Sequence, residues 1–316
     1  MRLLITRRMT GAVETAAQGR YDTTIRDSEI PLTASEAAAA MAEYDVIMPT
    51  LGDAFTAEAF KGDPARCRML ANFGAGYNHI DIAAARAAGI DVTNTPDAVT
   101  DATADIAMTL ILMTARRAGE GERLVRSGAW KGWTPTFMLG QHVSGKVLGV
   151  LGMGRIGKAI ARRAHLGFGM DVVFFNRSTV SALDIPARQM DMDAVLQTAD
   201  FVVVALPGGT ATHHMIGAEQ IAKMRRNAVL INIARGDIVD EAALIAALQE
   251  NRIAGAGLDV FEREPQIPES LLALENAVLL PHLGTATEQT RTEMGMRALA
   301  NIQAFAENRA PRDRVN

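Results

Sequence analysis

Short apolar runs and longer stretches of helical spacing alternate along this chain. Residues 3–6, 46–48, 69–72 and 91–94 read as strands of one small sheet. Between them, residues 34–42 and 82–88 read as helices, the second stopped by Gly89. Thr95-Pro96-Asp97 breaks the pattern, and a long apolar helix is predicted over 102–117 with Asp101 as its N-cap. A polar stretch over 127–141 carries both tryptophans. A second series of strands then falls at 147–151, 171–175, 201–205, 228–232, 255–260 and 277–280, and residues 288–306 close the chain as a helix. Strands separated by helices throughout predict an α/β protein with parallel sheets.

The most specific local pattern is Gly152-Met153-Gly154-Arg155-Ile156-Gly157, which follows apolar Val147, Leu148, Val150 and Leu151 and opens a helical run. A strand, a glycine-rich turn and a helix in that order form the loop that holds the pyrophosphate of a dinucleotide. Gly152 permits the tight turn, Gly154 lets the backbone approach the phosphates, and Gly157 lets the helix pack against the strand. The pyrophosphate is expected on the unpaired N–H groups of the helix start, at Arg155, Ile156 and Gly157. This unit begins in mid-chain, which predicts two domains. One is a Rossmann-type doubly wound parallel sheet over 98–285. The other is a smaller flavodoxin-like α/β substrate domain over 1–97 and 286–316, to which the last helix returns.

The end of the second strand bears on cofactor choice. An acidic residue there would bind a ribose 2′-hydroxyl, but the chain places Asn176, Arg177 and Ser178 at that point. A carboxylate would repel a 2′-phosphate, whereas a guanidinium binds one through paired charge-assisted hydrogen bonds. The pattern therefore favours NADP(H), with NAD(H) as the alternative.

Composition narrows the class without adding chemistry. A chain of 316 residues with 48% hydrophobic and 22% charged residues is ordinary for a globular protein. A net charge of −4 with no basic block speaks against nucleic-acid binding. The single cysteine, Cys67, fits a reducing compartment and a buried apolar role. The N-terminal apolar stretch is too short for a signal peptide, and no run is long enough to span a membrane, so a cytoplasmic protein is expected. No metal-ligand spacing appears. Core packing is the expectation for Trp130 and Trp133.

In open parallel sheets, ligands bind beyond the carboxyl ends of strands. Three polar residues fall there: Arg235 after Ile231-Asn232-Ile233-Ala234, Glu264 after Leu258-Asp259-Val260-Phe261, and His282 after Leu279-Leu280-Pro281. A cation, a carboxylate and an imidazole suit reduction of a 2-keto acid. Arg235 would hold the substrate carboxylate and polarise the keto oxygen, and His282 would protonate that oxygen as hydride arrives from a nicotinamide. Glu264 would accept a hydrogen bond from the other ring nitrogen and favour the charged imidazolium.

Asn232-Ile233-Ala234-Arg235-Gly236, then Gly257-Leu258-Asp259-Val260-Phe261-Glu262-Arg263-Glu264-Pro265, then Pro281-His282-Leu283-Gly284-Thr285-Ala286-Thr287, resemble the D-isomer-specific 2-hydroxyacid dehydrogenase family, with the glyoxylate/hydroxypyruvate reductases as the nearest likeness. The resemblance covers roughly residues 66 to 305. It implies Arg235, Glu264 and His282 as the catalytic set and NADPH-dependent reduction of glyoxylate or hydroxypyruvate. It also implies that the loop Phe73-Gly74-Ala75-Gly76-Tyr77-Asn78 binds the substrate carboxylate through its backbone, at Ala75 and Gly76. Asp259 corresponds to the acceptor for the nicotinamide carboxamide. Pro207 and Thr212 flank the adenosine half, Ile233 and Ala234 fall in the cofactor contact that precedes Arg235, and Thr103 is a further cofactor candidate. Gly208-Gly209 departs from the more usual Leu-Thr after that proline, which puts the detail of adenine packing in question. The resemblance further implies a homodimer in which Trp133 reaches the partner's substrate pocket. Other readings are a dehydrogenase of another D-2-hydroxy acid, such as D-lactate or D-glycerate, and a non-catalytic dinucleotide sensor. Formate dehydrogenases have glutamine where this chain has Glu264.

Overall fold

Two parallel sheets, each covered by helices on both faces, account for the alternation. The computed structural model describes residues 1–61, 66–181 and 183–316. It divides into two units, Met1–Val99 with Thr285–Asn316, and Thr100–Gly284.

In the first unit, β1 (Arg2–Ile5), β2 (Asp22–Ile25), β3 (Val46–Met48), β4 (Met69–Ala71) and β5 (Asp91–Thr93) lie in the order β2-β1-β3-β4-β5, all parallel. Successive side chains point to opposite faces, so Leu3, Ile5, Val46, Met48 and Met69 form one core with Ala298, Leu299 and Ile302 of the helix Glu288–Ala306. Leu4, Ile47, Leu70 and Val92 form the other with Ala37 and Met41 of the helix Ala34–Glu43. This strand order is that of the flavodoxin-like doubly wound sheets.

In the second unit the strands are β6 (Val147–Leu151), β7 (Asp171–Phe175), β8 (Arg188–Gln189), β9 (Phe201–Val204), β10 (Val229–Asn232), β11 (Gly255–Leu258) and β12 (Ala277–Leu279). Their order is β12-β11-β10-β9-β6-β7-β8, again parallel throughout. Leu148, Val150, Phe201, Val203 and Ile231 pack with the helices Thr100–Ala115 and Arg155–Phe168. Val202, Val204, Leu230 and Leu258 pack with the helices Met192–Thr198 and Glu241–Gln249. Each such buried Val, Leu, Ile or Phe is worth about 1.5–3 kcal/mol. The direction in which successive strands are added reverses between β6 and β9, the switch point at which such sheets hold a dinucleotide.

Several elements differ from the sequence expectation. The long helix starts at Thr100, so Asp101 lies in its first turn rather than at the N-cap. Its carboxylate is taken by Arg163, 2.9 Å away, which also pairs with Asp105. The helix Gly11–Gln18 and the strands β2 and β8 were not apparent in the pattern. β2 is a half-exposed edge strand, Asp-Thr-Thr-Ile, and β8 has two residues, so neither carries an apolar run. Trp130 and Trp133 are not core residues: they are 54% and 76% exposed. Cys67 is buried, and burial pushes its thiol up to about 12. No helix among the described residues is long and apolar enough to cross a membrane.

Candidate active site

The glycine loop has the geometry its sequence requires. Gly152 sits at φ +101, and a Cβ there would come within 2.6 Å of the Ala205 carbonyl oxygen. A Cβ on Gly157 would overlap the carbonyl oxygen of Gly152, so only glycine lets the helix Arg155–Phe168 come this close to β6. Nothing lies within 4 Å of the Cβ position of Gly154, so that face of the loop is open. Gly154 caps the helix with no side-chain hydrogen bond, and no acidic residue stands in the first turn. The positive end of the helix thus meets the requirements of a pyrophosphate. Among the described residues, no group of three or more His, Cys, Asp or Glu side chains could hold a metal ion.

Beside this loop, Asn176 at the end of β7 accepts from the Met153 N–H at 3.2 Å and donates to the Ser178 carbonyl at 2.9 Å. Arg177 and Ser178 are exposed there. After β9, the Thr212 hydroxyl donates to the Pro207 carbonyl at 2.7 Å and closes that loop. Ile233 and Ala234 are buried, just past the end of β10. Thr103 is buried too and donates to the Gly284 carbonyl at 3.2 Å.

Arg235, Glu264 and His282 follow β10, β11 and β12, three adjacent strands, so parallel topology brings them to one edge of the sheet. His282 Nδ1 lies 2.8 Å from Glu264 Oε2, and Glu264 Oε1 accepts from the Phe261 N–H at 3.0 Å. The carboxylate is thereby fixed on the ring's Nδ1 edge, and Nε2 has no protein partner among the described residues. Partial burial pushes the Glu264 carboxyl upward, but the hydrogen bond and charge of His282, the Phe261 N–H and the Arg235 charge outweigh it. The group is held below the usual carboxylate range. Arg235 is half-buried. Burial lowers its guanidinium from the ordinary value, against the opposing charges of Glu264 and Asp237.

The backbone around these groups is strained and braced. His282 adopts φ +53, an unusual conformation for a residue with a Cβ. Its N–H donates to the Asp259 carbonyl at 3.0 Å, and the Asp259 carboxylate takes the N–H groups of Leu283 at 2.6 Å and Gly284 at 2.8 Å. Burial raises the Asp259 carboxyl, and those two N–H groups oppose the shift. Asn232 supports Arg235 in the same way, donating to the Arg235 carbonyl at 2.9 Å and accepting from the Ala234 N–H at 3.1 Å.

In the first unit, the loop after β4 is braced by two amides not singled out from the sequence. Asn72 donates to the carbonyls of Gly74 at 3.0 Å and Gly76 at 3.1 Å, and Asn94 donates to that of Ala75 at 2.8 Å. With three successive carbonyls tied down, the Ala75 and Gly76 N–H groups are without an acceptor among the described residues. Such a nest suits an anion.

Comparison with known proteins agrees with this fold. Residues 108–284 match the family model of the D-isomer specific 2-hydroxyacid dehydrogenase NAD binding domain. A glyoxylate reductase of Pyrococcus horikoshii is 44% identical over 280 residues, spanning 87% of this chain and 83% of that protein. One from Thermococcus kodakarensis is also 44% identical, spanning 87% and 84%. Among solved structures, an NADPH-dependent glyoxylate/hydroxypyruvate reductase from Sinorhizobium meliloti, in complex with NADP and malonate, superposes with a TM-score of 0.88 at 33% identity, covering 99% of this chain and 96% of that one. The chain belongs to the D-isomer-specific 2-hydroxyacid dehydrogenase family and is an oxidoreductase with a dinucleotide-binding domain.

Proposed function

We propose that this protein reduces small 2-keto acids, glyoxylate and hydroxypyruvate foremost, to D-2-hydroxy acids with NADPH. The observation that carries this reading is the His282 ring held by Glu264 at 2.8 Å, with Nε2 unpartnered among the described residues and the Arg235 charge acting on the same Glu264 carboxylate. When bound, the reduced nicotinamide supplies a hydride to the keto carbon. Arg235 binds the substrate carboxylate and draws charge toward the keto oxygen, and in the first unit the N–H groups of Ala75 and Gly76 suit a carboxylate. His282 Nε2 gives its proton to the oxygen as the carbon is reduced, completing the hydroxyl. Glu264 fixes the ring through its Nδ1 edge. Asp259 holds the turn that carries His282 and takes the nicotinamide carboxamide with its remaining lone pairs. The relatives named as glyoxylate reductases support the substrate class. The test is a panel of 2-keto acids read as kcat/KM. Glyoxylate and hydroxypyruvate are expected to lead, and a bulky 2-keto acid leading by a wide margin would overturn the substrate reading.

The attraction between Glu264 and His282 is mutual, and it gives a pH prediction. The Glu264 carboxyl lies below its ordinary value, so it stays ionised throughout the neutral range. Its stabilising contact is complete above that ordinary value and is lost as pH falls through the lower folded value. Glu264→Gln removes this acid-sensitive contact, so the Tm gap between wild type and variant is expected to be full in the neutral range and to shrink as pH falls below the ordinary carboxylate value. A Tm gap that does not change with pH would show that the ionised carboxylate is not what holds the ring.

NADPH preference rests on Arg177, exposed in a turn without a carboxylate. Arg177→Asp is expected to swing preference toward NADH, read as the ratio of kcat/KM values. A wild-type protein that uses NADH as well as NADPH would contradict the reading. The exposed side chains of Val125, Trp130, Trp133, Phe137 and Leu139 support a homodimer, with Trp133 closing the partner's pocket. Sedimentation as a monomer would remove that part. A cytoplasmic location belongs to the same reading.

A further inference from the structure

We infer that Gln189, on the two-residue edge strand β8, is a positioning residue that shapes the turn at 176–178 and so sets selectivity for a cofactor with a 2′-phosphate. The inference rests on the reading that this turn receives that phosphate. Gln189 pairs in register with Phe174 of β7, which brings its side chain up to the turn that follows β7. Its Nε2 donates to the Asn176 carbonyl at 3.1 Å and to the Ser178 carbonyl at 3.0 Å, and its Oε1 accepts from the Val180 N–H at 3.0 Å. The partners fix the amide orientation, since carbonyls only accept and an N–H only donates. Both hydrogens and the oxygen are thereby used.

The consequence is a turn sorted by polarity. Gln189 draws in the carbonyls on either side of Arg177, and the Asn176 amide binds the Ser178 carbonyl a second time at 2.9 Å. The Asn176 amide also donates to Ser178 Oγ at 3.2 Å, which leaves that hydroxyl's own proton for another acceptor. The Arg177 guanidinium and the Ser178 hydroxyl are exposed donors in this turn, and no ion pair joins Arg177 to a carboxylate among the described residues. A phosphate monoester offers only acceptors when fully ionised, so a carbonyl turned toward it would repel it. A ribose 2′-hydroxyl both donates and accepts and tolerates either arrangement. Releasing the two carbonyls should therefore harm a 2′-phosphate much more than a 2′-hydroxyl.

The test is calorimetric binding of NADP⁺ and NAD⁺ to the full-length protein, its Gln189→Met and Gln189→Glu variants, and Arg177→Ala. Methionine keeps the length of the side chain and removes all three hydrogen bonds. NADP⁺ affinity is expected to fall about tenfold while NAD⁺ affinity changes by less than about twofold. Glutamate can still accept from Val180 but cannot donate to the carbonyls, and it adds negative charge. It should cost more NADP⁺ affinity than methionine, and it keeps the test open if the methionine variant folds poorly. Equal weakening of both cofactors, or no change in either, would overturn the inference. If Arg177→Ala abolishes the preference and neither Gln189 variant touches it, Gln189 alone is excluded. If Arg177→Ala also leaves the preference intact, the phosphate reading of the turn fails, and this inference with it.

Discussion

Replacing His282 with alanine is expected to lower kcat on the order of 100-fold or more, the usual scale for a lost general acid. The site leaves no substitute for its proton. Glu264 is an ionised acceptor held on the far side of the ring, and Arg235, although its guanidinium is lowered by burial, begins from a value far above neutrality. Binding of the dinucleotide should survive, because the glycine loop and the 176–178 turn lie on other strands. The check is steady-state kcat beside the dissociation constant of the cofactor. Near-normal turnover would remove His282 from the mechanism. Equal loss of cofactor affinity would mean that the substitution had disturbed the fold instead.

Gly236→Ala should be damaging without removing any polar side chain. This glycine follows Arg235, and a Cβ there would overlap the backbone carbon and oxygen of Phe261 and the nitrogen of Glu262. Those atoms are main chain and cannot swing aside as a side-chain tip can. Overpacking of this kind costs about 1–3 kcal/mol and sometimes more, so Tm should drop by about 2–12 °C. Because the two segments forced apart carry Arg235 and Glu264, kcat/KM should fall with it. Scanning calorimetry beside the kinetics checks both. A wild-type Tm in this variant would show that the close approach is not needed.

The sequence made the parallel architecture and the positions of Arg235, Glu264 and His282 legible for a topological reason. In a parallel sheet every strand's carboxyl end lies on one edge, so polar residues just after apolar runs can be placed before any coordinates exist. The glycine loop was legible because each glycine answers a separate steric demand. The braces were not. Asn232, Asn72, Asn94 and Gln189 act through hydrogen bonds to backbone carbonyls, and nothing in residue type distinguishes such an amide from a solvated one. Gln189 also sits on a strand too short to leave a periodic signal. The tryptophans misled because large aromatic residues usually report a core, and here an extended stretch holds both at the surface. The start of the long helix misled because Asp101 has an N-cap's chemistry but is taken by Arg163 inside the first turn.

The account rests on Arg235 and His282 acting on the keto group of a small acid beside a reduced nicotinamide. Chiral analysis of the product formed from hydroxypyruvate and NADPH tests this most directly. D-glycerate as the sole product, in amounts matching the NADPH consumed, is the predicted result. L-glycerate, a racemic mixture, or no consumption of NADPH with either hydroxypyruvate or glyoxylate would contradict it.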